Sequence, residues 1–86
     1  MRTLFIYARP FTFTQNILMF EDGKEIENEV VSMNTLEESV VCLARLNNIT
    51  EVNIAGPKFY IKGIQKKIQK IELEKYSENT LKINLV

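Results

Sequence analysis

A short apolar strand, a Gly-Pro corner and an amphipathic helix follow one another in Glu51–Ile71, EVNIAGPKFYIKGIQKKIQKI, and no other stretch constrains the fold as much. Val52, Ile54 and Ala55 suit a buried strand, Gly56 permits a sharp exit, and Pro57 fits the first helical turn, where no backbone donor is needed. Ile61, Ile64, Ile68 and Ile71 then recur at helical spacing and form one stripe. Such a unit demands a sheet with a helix laid on it. It fixes no chemistry.

The rest of the chain supplies that sheet. Leu4–Ala8 (LFIYA) is a nearly continuous apolar run, the pattern of a central strand buried on both faces, and Pro10 ends it near Arg9. Phe11–Phe20 resumes with aromatic and β-branched residues. Asp22-Gly23 then marks a hairpin turn into Lys24–Met33, where Ile26 and Val30 are expected on the buried face and Glu25, Glu27 and Glu29 on a solvated one. Asn34 or Thr35 is expected to cap a helix, because Glu37 and Glu38 stand at capping-box spacing. Leu36, Val40, Leu43 and Ala44 form its stripe, with Val41 beside it, and Asn47-Asn48 ends it. A strand over Thr50–Ala55 and a helix over Lys58–Lys70 follow. Ile71–Tyr76 is compatible with either helix or strand, and Leu81–Val86 alternates as a last strand with Leu81, Ile83 and Leu85 inward. The expected fold is one compact α/β (α+β) domain over 1–86, with a mixed sheet of about five strands and two helices packed on it.

With 86 residues, balanced charge and 45% apolar side chains, the chain has the composition of a small globule. Cys42 is its only cysteine and it has no histidine, which excludes an internal disulfide and a conventional zinc site or Ser-His triad. Cys42 is expected to pack as a small apolar residue in a reducing compartment. No apolar run is long enough to span a bilayer and no leader pattern opens the chain, so a cytoplasmic protein is expected. Charge is segregated: Met1–Glu51 holds eight acids and four bases, and Val52–Val86 three acids and seven bases.

The order strand, strand, strand, helix, strand, helix, strand resembles the ribonuclease H-like fold, shared by Holliday-junction resolvases, transposase cores and the halves of actin-like ATPases. Leu4–Ile26 looks like the opening hairpin of that superfamily. The size and lysine-rich style are similar to small proteins of bacteriophages and mobile elements. The fourth strand, second helix and final strand make a crossover unit, expected to be right-handed and parallel. The resemblance implies, for nucleases, metal-binding carboxylates in the middle of the first strand and near the end of the fourth. Those places hold Phe5, Ile6 and Tyr7, and Asn53, Ile54 and Ala55. Neither does Arg9-Pro10-Phe11 match the Gly-rich phosphate loop of the ATPases.

What remains is surface. Lys58, Lys62, Lys66, Lys67 and Lys70 occupy the outside of the second helix, as a solvated face or as a contact for nucleic acid or another anion. Phe11, Phe13, Phe20, Phe59, Tyr60 and Tyr76 offer more aromatic area than so small a core needs, although most are expected to pack inside. The expectation is a non-enzymatic interaction module without cofactors, which contacts a protein partner or a second copy of itself as a homodimer. A nucleic-acid-binding accessory protein using the five lysines is the alternative, and a divergent metal-dependent nuclease the third reading.

Overall fold

The computed structural model describes Met1–Val86 as β1 (Arg2–Tyr7), β2 (Thr14–Glu21), β3 (Lys24–Ser32), a single 3-10 turn (Met33–Thr35), α1 (Leu36–Leu46), β4 (Glu51–Ala55), α2 (Lys58–Tyr76) and β5 (Lys82–Leu85). The five strands make one mixed sheet in the order β3-β2-β1-β4-β5. β1, β2 and β3 form an antiparallel meander, whereas β4 runs parallel to β1 and β5 parallel to β4. The parallel β4-α2-β5 connection is the crossover that the corner at Gly56-Pro57 implied.

Alternation decides which face is covered. Leu4 and Ile6 of β1 stand opposite Met19 and Ile17 of β2 and beside Val52 and Ile54 of β4, and all six are buried. Against them lie Leu36, Val40, Val41 and Ala44 of α1 and Ile61, Ile64 and Ile68 of α2, in one core of 16 apolar residues. Both helices therefore share one face of the sheet.

Several sequence expectations fail because the other face is open. β1 is buried on one side only: Phe5 is half-buried and Tyr7 is exposed. Phe5 packs edge-on to Phe20 across the strands, with centroids 6.5 Å apart, so this uncovered face is quilted by its own aromatic pair. Ile26 and Val30 are exposed rather than buried: Val30 stands opposite Asn16 on the face that neither helix covers, Ile26 lies near the hairpin turn of this edge strand, and only Val31 of β3 packs against the core. The register slips between Met19 and Phe20, which pair with Glu27 and Glu25 and leave Ile26 as the extra residue of a bulge. The turn itself is as expected: Asp22 and Gly23 have φ of 50° and 85°, the signs required of a two-residue hairpin loop.

The helix ends also differ. Ser32 caps the 3-10 turn by accepting from Asn34 N at 3.2 Å, and Thr35 precedes α1 without a side-chain cap, so no capping box forms. Ile71–Tyr76 is helical and extends α2 to 19 residues, ending at Ser77 in a left-handed conformation. Cys42 lies exposed on α1, not in the core. Phe11 to Phe13 form a loop, and β2 begins at Thr14.

Candidate functional site

β1 and β4 run parallel and side by side, so their carboxyl ends open at the same end of the sheet. There the chain leaves β1 toward β2 on one side, and leaves β4 through α2 toward β5 on the other. A crevice at such a divergence is the usual ligand position in sheets with parallel strands. Three loops meet at it. Ala8 N donates to Ala55 O at 2.7 Å, Met33 N donates to Phe13 O at 3.0 Å, and the Tyr60 hydroxyl reaches Met33 Sδ at 3.6 Å. The β1–β2 loop, the start of α1 and the first turn of α2 are thereby tied together.

Gly56 makes this closeness possible. Its φ of 148° is unfavourable for other residues, and a Cβ there would sit 2.6 Å from Ala8 O. The β1–β2 loop is held from within by Gln15, which is fully buried although polar. Gln15 Oε1 accepts from Arg9 N at 3.2 Å, and its Nε2 donates to Arg9 O and, at 2.8 Å, to Thr12 Oγ1. Thr12 Oγ1 also lies 3.0 Å from the carbonyl oxygens of Arg9 and Thr14. A buried amide that satisfies three loop groups fixes the loop as a rigid bracket.

The bracket presents hydrophobic side chains to water. Phe11 is wholly exposed, Phe13 is 93% exposed and Phe59 is 95% exposed. None of the three packs in the core, so for Phe11 and Phe13, which alternate with Thr12 and Thr14, the reading of a face left open to a partner is the one the structure fits. Phe11 moreover has a φ of 65°, a left-handed conformation that costs a non-glycine residue about 1 kcal/mol.

The five lysines are all exposed, and the structure divides them. Lys58, Lys62, Lys66 and Lys70 follow one another at four-residue spacing along the outer side of α2. Lys67 lies toward α1, with Nζ 3.5 Å from Glu37 Oε1, and Lys70 pairs with Glu74 at 3.9 Å. Lys58, Lys62, Lys66 and Arg9 form no ion pair. At 100° per residue, Phe59 shares the outer face with Lys62 and Lys66, three and seven residues on. Lys58 and Lys62 also border a groove of about 230 Å³, floored by Ile61, Leu85 and Val86.

A second polar cluster lies at the far end of α2. Glu72 is fully buried. Its Oε2 accepts from Arg45 Nη2 at 3.0 Å and from Thr80 Oγ1 at 3.1 Å, and its Oε1 accepts from Leu81 N at 3.3 Å. Arg45 also donates to Glu78 at 3.2 Å and lies 4.1 Å from the Tyr76 ring centre. Burial alone depresses the basicity of Arg45, but the hydrogen bonds to Glu78 and Glu72 outweigh it and raise its pKa. This cluster is a structural clasp joining α1, α2 and the entry to β5. Nothing in the sequence separates Glu72 from its solvated neighbours except its place on the isoleucine stripe.

No three His, Cys, Asp or Glu side chains come together anywhere in the chain as metal ligands. The positions where the resemblance requires carboxylates carry Phe5, Ile6 and Tyr7 on β1 and Asn53, Ile54 and Ala55 on β4. No helix is long and apolar enough to cross a membrane. No protein-family model, curated protein or solved structure matches the chain.

Proposed function

We propose that this chain is a non-enzymatic interaction module, a reduced ribonuclease H-like domain whose contact surface is the end of the sheet where β1 and β4 open. The observation that carries the reading is the triad Phe11, Phe13 and Phe59, held in water on a braced loop and a helix start. Exposed aromatic side chains of this size, on a braced loop and a neighbouring helix start, support an intermolecular use. The meander and the parallel crossover support the ribonuclease H-like part of the reading. Its place in a phage or mobile element rests on style alone.

The test has two parts. The variant F11S/F13S/F59S should melt no lower than the wild type, because none of the three rings packs in the core. Photo-crosslinking side chains placed at 11 and 59 should yield adducts in a cell extract, and one placed at Glu27 on the far edge of β3 should not. A large loss of thermal stability in the triple variant would make the phenylalanines structural and remove the reading.

A further inference from the structure

Resting on that reading, we infer that the partner of this surface is a single-stranded nucleic acid, its bases stacked on Phe11, Phe13 and Phe59 and its phosphates on Arg9, Lys58, Lys62 and Lys66. Three observations converge. The aromatic rings are exposed on their flat faces, not sunk as anchors in a pocket. Cations without an ion pair adjoin them along the chain: Arg9 stands two residues before Phe11, and Lys58 and Lys62 one residue before and three after Phe59. The lysines of α2 then continue away from the aromatic end at about 6 Å of helix rise per step, similar to the step between phosphates of a stretched strand.

These features select among partners. A protein partner would bury the phenylalanines in an interface core, from which lysine is normally depleted. A membrane-surface helix requires a free apolar face, whereas that of α2 is spent on the core through Ile61, Ile64 and Ile68. A duplex offers phosphates but hides the π-faces of its bases. Only an unpaired strand supplies negative charge and flat aromatic surfaces at alternating positions, the combination that sequence-tolerant single-strand binding exploits. The braced loop adds preorganisation: Gln15 and Thr12 fix the backbone that carries Phe11 and Phe13, so little ordering remains to be done on binding.

The experiment is a fluorescence-anisotropy titration of the full chain with labelled oligothymidylate and oligouridylate of about 12 nucleotides, and with a duplex of equal length. It is run at about 50 mM and about 200 mM salt. The single strands should bind at least tenfold more tightly than the duplex and weaken steeply with salt. F11A/F59A should lose roughly tenfold per ring and keep the salt slope, whereas K62E/K66E should lose affinity and flatten the slope. K75E, beyond the ladder, should change affinity less than twofold. Absence of single-strand binding at low salt, preference for the duplex, or indifference to F11A/F59A would overturn the inference. So would binding to phosphatidylserine vesicles in place of oligonucleotides. If the crosslinks from 11 and 59 carry protein insensitive to nuclease, the interaction module survives and the nucleic-acid partner does not.

Discussion

Glu72 Oε2 accepts a hydrogen bond from Arg45 Nη2 at 3.0 Å, a contact between α2 and α1 in which the carboxylate is fully buried and the guanidinium partly so. Because the same carboxylate also receives Thr80 Oγ1 and Leu81 N, it closes the second helix onto the last strand.

Removing that acceptor should therefore be costly. Glu72→Ala leaves the buried Leu81 N without a partner and removes the buried half of the Arg45 ion pair, and is expected to lose about 3 kcal/mol, in the range for breaking a buried ion pair. Glu72→Gln, which keeps an acceptor oxygen, should lose less. Urea unfolding of both variants measures the difference, and equal losses would show that charge, not hydrogen bonding, holds the clasp.

Gly56→Ala should be more damaging than the addition of one methyl to a strand-to-helix corner suggests. The added methyl meets Ala8 O at 2.6 Å at a φ of 148°. Either β1 and β4 separate at their ends or the corner distorts, and a loss of about 3 kcal/mol is expected. Thermal denaturation tests this. Gly63→Ala on α2 is the control, since a Cβ there has open space and the helix gains about 1 kcal/mol from losing a glycine.

Phe11→Gly should stabilise the protein while weakening partner binding. Glycine adopts the φ of 65° without penalty, and the lost ring packs against nothing. An increase in melting temperature of a few degrees corresponds to about 1 kcal/mol in a domain of this size. No increase would mean that the loop does not strain this residue.

Tyr60 should be the source of a pH dependence in alkali. Burial raises its pKa above the ordinary 10.0, and the negative charge of Glu37 raises it further. A phenol with a raised folded pKa binds its proton more tightly in the folded state. Its contribution to stability is thus complete below pH 10 and declines as the pH rises from there through the folded pKa. Spectrophotometric titration of tyrosinate should show a late-ionising phase that Tyr60→Phe abolishes and Glu37→Gln moves to lower pH.

The sequence carried the elements further than their environment. The Asp22-Gly23 turn, the isoleucine stripe of α2 and the Gly56-Pro57 corner are local statements, and each describes the fold correctly. Burial is not local. LFIYA has the composition of a strand covered on both faces, yet both helices pack on one side, and Tyr7 is left in water. Ile26 and Val30 mislead similarly, because an alternating strand says which residues share a face but not whether a helix reaches that face. In the crevice the lysines were legible as charge, since they fall outside the isoleucine stripe. The phenylalanines were legible only in part: Phe11 and Phe13 alternate with threonines and so share a face, but an aromatic residue in a small chain normally goes inside. Gln15 was invisible, and Glu72 marked only by its place on the isoleucine stripe, for a deeper reason: a polar side chain is buried only when distant polar groups converge on it, and those partners have no sequence signature.

The register places Leu4 beside Val52 and Ile6 beside Ile54, so the second strand of the chain's central parallel pair is made after most of the chain. Long-range closures of this kind set folding rates, because loop entropy is lost before the contacts reward it. During synthesis β1, β2 and β3 can form their meander early, but Leu4 and Ile6 have no parallel neighbour until β4 emerges from the ribosome. The nascent chain must therefore hold an unfinished sheet with an open inner edge, and it matures only as Glu51–Ala55 arrives to close it.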